Sequence, residues 1–130
     1  MALAPDDLAA SLQGAFGDAL SGVAVALGEV TAVVPHGRLA AVMRRLRDEP
    51  AFRFETLIDV CGVDYSAWGN APHEGPRFAA VYHLLSLAHN ARLRVRAFAP
   101  DDDFPVLPSM IDVWPSANWF EREAFDLYGI

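Results

Sequence analysis

The sequence predicts one α+β domain over residues 1–130, in which helices pack on one side of a mostly antiparallel sheet and a C-terminal helix closes the chain. Its 130 residues fit a single domain, and 53% of them are hydrophobic, enough to build a core. Segments with strand-like patterns are grouped in the middle of the chain, and helical patterns precede and follow them. We find no internal repeat and no low-complexity linker that would divide the chain.

A helix is predicted at the N-terminus, from Asp6 to Leu20, and Asp6 or Asp7 is expected to cap it. The apolar residues recur at helical spacing, and they are Leu8, Leu12, Phe16 and Leu20. The β-branched stretch GVAVALGEVTAVV follows and is broken at Gly28 and Glu29. It predicts one or two strands with a turn.

The stretch HGRLAAVMRRLRDEP predicts an amphipathic helix that ends before Pro50. Its apolar face is formed by Leu39, Val42, Met43 and Leu46. The next stretch, FETLIDVCGVDY, is compatible with a strand and with a short helix, so both remain open. Residues 68–76 contain Gly, Asn and Pro and predict a loop.

The next two segments predict an antiparallel hairpin. RFAAVYHLLSL is apolar on both alternating faces, as expected of a central strand, and HNAR turns the chain. RLRVRAFAP alternates basic and apolar residues, which is typical of a half-buried strand. Its arginines, Arg92, Arg94 and Arg96, share one face and either meet an acidic partner or are solvated. PDDDFPVLPS is a predicted loop.

The closing helix is predicted from Trp119 to Tyr128. Asn118 is a favourable N-cap, Glu121 stands at the capping-box position, and Gly129 suits the left-handed position after a helix. Apolar residues surround this helix, so it either contacts a partner protein or packs internally with its charges in water. Glu121 and Glu123 point about 200° apart on a helix and cannot flank one substrate as acid and base.

Composition excludes several classes of function. The net charge is −7, all ten basic residues are arginine, and they form no basic cluster of the kind that nucleic acid requires. Cys61, the single cysteine, permits no internal disulfide and cannot hold an iron–sulfur cluster, and it is expected to be buried and inert. The acidic N-terminus is unlike a signal peptide, and no apolar stretch is long enough to span a bilayer.

Other candidate sites are weaker. The acidic run from Asp101 to Asp103 either binds a hard cation or, as such runs usually do, is simply solvated. His83 is expected to be a hydrogen-bonded core residue. A free-standing hydrolase that uses Asp64, His83 or the acidic run stays open as an alternative, although no spacing indicates a pocket. A binding module that dimerises through the closing helix is a further alternative.

The closing stretch ANWFEREAFDLYGI also resembles the signature of a known family, the 30 kDa subunit of respiratory complex I, which is the C subunit of bacterial NADH:quinone oxidoreductase. The pattern E-R-E-x-x-D-L-x-G-I is matched from Glu121 to Ile130. Four upstream stretches agree in order: LIDVCGVDY, RFAAVYHLLSL, RLRVRAF and VLPSMIDVWPSANW. The resemblance begins near Val30 and runs to the end of the chain.

This resemblance implies a non-catalytic peripheral-arm subunit of a proton-translocating NADH:quinone oxidoreductase, on the cytoplasmic side of the bacterial inner membrane. It implies no cofactor in this chain, because FMN, iron–sulfur clusters and quinone belong to partner subunits. It implies docking on the quinone-site and iron–sulfur subunits. The expected interface residues are Trp119, Glu121, Arg122, Glu123, Asp126 and Tyr128. The equivalent subunit of an energy-converting membrane-bound hydrogenase shares the signature and is the nearest alternative.

Family members continue beyond the Gly-Ile pair at which this sequence stops. The resemblance therefore implies a chain truncated after the signature helix, with exposed apolar surface on that helix and a tendency to self-associate. Replacing Arg122 or Glu123 by alanine is expected to weaken assembly of the complex.

Overall fold

A computed structural model of the protein describes residues 4–64 and 78–98, and five residues further along the chain: Met110, Val113, Trp114, Ala117 and Glu121. The described part contains two α-helices, α1 (Pro5–Phe16) and α2 (Leu39–Asp48), each next to a 3₁₀ turn, Gly17–Ala19 after α1 and His36–Arg38 before α2. It also contains five strands: β1 (Gly22–Ala26), β2 (Glu29–Val33), β3 (Thr56–Asp64), β4 (Phe78–Ser86) and β5 (Ala91–Phe98).

The five strands form one sheet in the order β1-β2-β5-β4-β3. The pairs β1–β2, β4–β5 and β3–β4 are antiparallel, whereas β2 and β5 are parallel, with Thr31 beside Arg94 and Val33 beside Arg96. The predicted α+β class and the mostly antiparallel sheet are thus confirmed. β4 lies between two strands, as its two-sided apolar pattern predicts.

One face of the sheet carries the hydrophobic core, and both helices pack on that face. Alternate residues of β2, β4 and β5 point to this core face because successive strand residues point to opposite sides. Each predicted apolar residue of α1 and α2 is buried against it. The core face is lined by Val30, Ala32, Leu57, Val60, Ala80, Tyr82, Leu84, Ala91, Leu93, Val95 and Ala97.

Arg45 connects the two helices. Its guanidinium lies 4.3 Å from the ring centroid of Phe16 and donates from Nη2 to the carbonyl of Ala15 at 3.1 Å. It also pairs with Glu49 one turn further along α2. The Phe16 ring in turn packs at 5.6 Å from that of Phe52. These contacts hold the end of α1 against α2, so the layer above the sheet is one unit.

The prediction for α1 was wrong at both ends. The N-cap is Ala4, which makes no side-chain capping bond, and Asp6 and Asp7 instead lie inside the first turn after Pro5. Carboxylates there still interact favourably with the helix dipole. The helix ends at Phe16 because Gly17 takes a positive φ of 51°, which starts a tighter turn. Leu20 is nevertheless buried.

The ambiguous stretch FETLIDVCGVDY contains strand β3, which pairs along its length with β4. The register shifts between Leu57 and Asp59, so Ile58 forms a bulge. Local pattern did not separate strand from helix here, because pairing with a distant strand decides it. The predicted loops at 68–76 and 100–109 lie outside the described residues. Of the predicted closing helix, Trp119–Tyr128, only Glu121 belongs to the part described, and it is helical. Ala117 is helical as well, although it precedes Asn118, the predicted N-cap.

The hairpin between β1 and β2 turns through Leu27 and Gly28, which have φ values of 53° and 77°. Positive φ at both central residues is the type I′ geometry, in which asparagine is tolerated better than leucine. Leu27 is fully exposed and has no packing to lose. We expect Leu27→Asn to raise the free energy of unfolding by about 0.5–1 kcal/mol. Urea unfolding measures this, and Leu27→Val, which is β-branched, should lower it.

Candidate partner interface

The segment that leads into the predicted closing helix is fixed to the core. The Trp114 side chain is buried, and its Nε1 donates to the carbonyl of Phe54 at 3.1 Å. The carbonyl of Val113 accepts from Nη1 of Arg47 on α2 at 2.9 Å. Met110 and Ala117 are fully buried as well. These described residues therefore belong to the domain core.

Glu121 is half-buried, and its carboxylate is used within the chain. Its Oε1 accepts from the backbone amide of Met110 at 2.6 Å, a charge-assisted hydrogen bond that closes the segment on itself. The same carboxylate lies close enough to Tyr82 to affect its ionisation. Burial raises the pKa of Tyr82 well above its ordinary value, and the charge of Glu121 raises that pKa further. Glu121, a residue of the signature stretch, thus interacts with two buried residues, Met110 and Tyr82.

This pKa shift predicts a loss of stability in alkali. The folded pKa of Tyr82 lies above the unfolded value of 10.0, so the unfolded chain releases the phenolic proton first. The contribution of the protonated Tyr82 to the free energy of unfolding is fully present below about pH 10, and it is lost as the pH rises above that value. We expect the urea midpoint to fall more steeply between about pH 10 and pH 12 in the native chain than in Tyr82→Phe. Equal slopes would show that Tyr82 does not titrate differently on unfolding.

The second face of the sheet has a different character. We call it the arginine face, because Arg92, Arg94 and Arg96 of β5 point to it, opposite Leu93 and Val95, as the alternation predicted. Arg94 pairs with Glu29 of β2 at 2.5 Å. Solvent exposure varies along this face. Ala79 and Val81 of β4 are buried, whereas Arg92 at the start of β5 is exposed.

Two expectations from the sequence were wrong on this face. His83 was expected in the core, but the register places it opposite Arg94 and Asp59, half-exposed and without a hydrogen bond to any described residue. Cys61 was expected to be buried, but it is exposed, and its Sγ donates to Oδ2 of Asp59 at 3.1 Å. An apolar neighbourhood along the chain does not tell which face of a strand is covered.

The same register separates the residues of the hydrolase alternative. His83 pairs with Asp59, whereas Asp64 pairs with Phe78, five positions along the strands or about 16 Å away. Asp101–Asp103 lies outside the described residues. Within the described part of the chain, no group of three or more His, Cys, Asp or Glu side chains is placed to hold a metal ion. The geometry therefore does not bring Asp64 and His83 together as a catalytic pair.

A groove of about 670 Å³ opens where the arginine face meets the end of the sheet that carries the β1–β2 and β4–β5 turns. Its polar lining comes from Glu29, Asp59, His83, Asn90, Arg92 and Arg94. Sequence reasoning singled out the arginines but missed the groove. Only the pairing of β2 with β5 and of β3 with β4 brings these residues together.

The structure does not test the predicted interface residues. Glu121 is described, and it bonds to the Met110 amide within the chain. The others lie outside the described residues, and they are Trp119, Arg122, Glu123, Asp126 and Tyr128. Sequence reasoning missed Trp114 as an anchor. An isolated Trp in a Pro-flanked stretch was the available signal, because Trp buries a large area and needs a partner for its N–H. In the described residues, no helix is long and apolar enough to cross a membrane.

Known proteins with similar sequences and structures complete this description. A solved chain from the membrane-bound sulfane sulfur reductase, an archaeal respiratory membrane complex, superposes with a TM-score of 0.72 over 96% of this chain and 68% of its own length. Its sequence identity is 18%, so the likeness concerns the fold.

The curated relatives are much closer in sequence. The C subunit of the NADH-quinone oxidoreductase of Thiobacillus denitrificans is 57% identical over 130 residues, and that of Burkholderia cenocepacia is 55% identical. Both alignments cover the whole of this chain, which spans 65% of the length of each relative. The profile of the family "Respiratory-chain NADH dehydrogenase, 30 Kd subunit" matches residues 32–130. With a profile match over most of its length and relatives more than half identical to it, this chain belongs to the family of the respiratory-chain NADH dehydrogenase 30 Kd subunit.

Proposed function

We propose that this chain is a subunit without catalytic groups of its own in a proton-translocating NADH:quinone oxidoreductase, where it holds the quinone-site and iron–sulfur subunits in place. The observation that carries the proposal is the family match, which runs from residue 32 to the last residue and includes the signature stretch. The work of such a subunit is to keep cluster-bearing neighbours within electron-transfer distance.

The geometry supports a docking role for the closing residues. Three hydrogen bonds hold this segment to the core. Trp114 donates from Nε1 to the carbonyl of Phe54, and the carbonyl of Val113 accepts from Arg47. The carboxylate of Glu121 accepts from the amide of Met110. A partner that binds next to this segment therefore meets a rigid surface, and less conformational entropy is lost on binding. The proposed contacts are made by Trp119, Arg122, Glu123, Asp126 and Tyr128, with Glu121 holding the helix in position.

The proposal assigns FMN, iron–sulfur clusters and quinone to the partner subunits. One cysteine supplies one of the four thiolates that a cluster ordinarily takes, and Cys61 is engaged with Asp59. We also propose that the chain is held at the cytoplasmic side of the bacterial inner membrane by its partners. Relatives that are 55–57% identical and belong to NADH-quinone oxidoreductases favour this assignment over the hydrogenase subunit.

Affinity purification of the tagged chain from native membranes tests the proposal. The expected eluate oxidises NADH with a quinone as acceptor and contains iron–sulfur subunits. Arg122→Ala is expected to lower the yield of this complex, and Arg38→Ala, on the exposed 3₁₀ turn before α2, serves as the matched control. Recovery of hydrogenase subunits instead would support the alternative. An eluate with neither activity nor partner subunits would overturn the proposal.

A further inference from the structure

Strand β1 is an open edge of the sheet. It lies at one end of the strand order, so only β2 pairs with it, and four of its five residues are exposed. The other edge is β3, which carries the bulge at Ile58 and the charged side chain of Asp59. Bulges, charges and prolines are the devices that keep an edge strand from pairing with another chain. The sequence of β1, GVAVA, has no charge and no proline, and its register with β2 is continuous.

The register shows which main-chain groups of β1 point to this edge. The amide of Val34, directly after β2, donates to a carbonyl of β5, and successive residues of a strand direct their N–H and C=O groups to alternate sides. Thr31, three residues earlier, therefore bonds to β1, where it pairs with Ala24. Val23 and Val25, on either side of Ala24, direct their N–H and C=O groups away from β2. Within the described part of the chain, these four groups have no hydrogen-bond partner.

The side chains of β1 leave this edge accessible. Val23 and Val25 lie on the side of the core face, because they pair with core residues of β2, and Val25 is still 39% exposed. The opposite side of β1 carries one glycine and two alanines, so another backbone can approach closely. An extended segment bound here would satisfy the four main-chain groups and place an apolar side chain beside Val25.

The size of the edge limits what binds to it. A strand of five residues extends about 17 Å and is roughly 10 Å deep, so each partner covers on the order of 170 Å². A stable interface takes about 800 Å² per partner, so this contact alone does not hold two proteins together. A second copy of the chain would also bring one net charge of −7 against another. The segment therefore belongs to a protein that is held by further contacts.

We infer that an extended segment of a neighbouring subunit adds to the sheet as a further strand beside β1, bound through the main-chain groups of Val23 and Val25. The inference rests on the proposed function and adds a second contact to it. Trp114 is bonded to Phe54, just before β3, and β3 is four strand spacings from β1, or about 19 Å. One neighbour docked on the closing residues reaches both places, and its docking gives the segment a high effective concentration at β1.

Hydrogen exchange at single-residue resolution, measured by mass spectrometry, tests this inference. In the isolated chain, the amides of Val23 and Val25 should exchange at least about tenfold faster than that of Ala24, which is bonded to β2. In the purified complex, the two valine amides should exchange at least about tenfold more slowly than in the isolated chain. The amide of Ala24 should be slow in both samples and serves as the internal control.

The other outcomes are distinct from one another. An assembled complex in which both valine amides still exchange rapidly overturns the inference and leaves the proposed function standing. Slow exchange of these amides in the isolated chain also overturns it. Dependence on protein concentration would then identify a second copy at the edge, and independence would mean that the chain covers its own edge. If affinity purification of the unsubstituted chain recovers no subunits, the proposed function fails and the inference fails with it.

A proline substitution distinguishes main-chain pairing from burial under the side chains of a partner. Val25→Pro removes an N–H that β2 does not use, and proline is tolerated at such positions of edge strands. It should weaken association with the partner subunits about tenfold, because one hydrogen bond is lost and the ring obstructs the added strand. Val25→Thr keeps the N–H and the β-branched shape and should weaken association far less. Equal association of the two variants, with circular dichroism showing that both fold, would overturn the main-chain pairing.

Discussion

Leu93→Asp is expected to prevent folding. Leu93 is 2% exposed and lies on the core face of β5, beside Leu84 of β4. A carboxylate there has no partner, so it either stays charged in an apolar site or takes up a proton at a cost. We expect a loss of more than about 5 kcal/mol, which is comparable to the whole stability of a small domain. Circular dichroism and hydrogen exchange of the purified variant measure it.

The adjacent residue provides the control for this prediction. Arg92→Asp introduces the same side chain one position earlier, but on the exposed arginine face. It should fold with little change in the free energy of unfolding. Leu93→Ala should fold and lose about 2–5 kcal/mol, the usual cost of a large-to-small change in a core. If Leu93→Asp folded normally, the assignment of the two faces of β5 would be wrong.

Trp114→Ala is expected to lower the free energy of unfolding by about 3–5 kcal/mol. The side chain is 3% exposed, so its removal leaves a large cavity. It also leaves the carbonyl of Phe54 without the indole N–H that it accepts at 3.1 Å. Because Trp114 anchors the segment that carries Glu121, the variant should also lose partner subunits in the affinity purification. Urea unfolding gives the first quantity, and the composition of the eluate gives the second.

Trp114→Phe separates the two contributions. It keeps most of the apolar volume and removes the indole donor, so the expected loss is about 1–3 kcal/mol. Leu12→Ala changes a core residue of α1, far along the chain from the closing segment. It should also lower the free energy of unfolding. For the same loss of stability, it should reduce the recovery of partner subunits less than Trp114→Ala does. Equal loss of partners in both would show that assembly depends on overall stability and not on the anchor.

The local elements were predictable because their signals are local. Leu39, Val42, Met43 and Leu46 recur at helical spacing, and all four are buried on one side of α2. The alternation in RLRVRAF places the arginines of β5 on one face and its apolar residues on the other, as the structure confirms. Likewise, the family was evident from the closing signature, whose chemistry is unusual enough to be specific.

Sheet order and the position of each strand face were not predictable in the same way. The parallel contact of β2 with β5 joins segments about sixty residues apart, and no local pattern encodes it. His83 and Cys61 were misplaced because β3 and β4 are apolar on both sides, so the sequence does not show which side the helices cover. The end of α1 was misplaced because Gly17, with its positive φ, ended the helix early, and its start was misplaced because Pro5 occupies the first turn ahead of Asp6.

By itself, the sequence determined the α+β class, the presence of α1 and α2, the hairpins and the family, because periodicity and a long motif are read within short stretches of chain. Only the tertiary structure decided that Glu121 is bound to Met110, that Trp114 is anchored to Phe54, and that Arg92 and Ile58 line the same groove. These arrangements depend on contacts between distant segments, and such contacts form only when the sheet and the core are assembled.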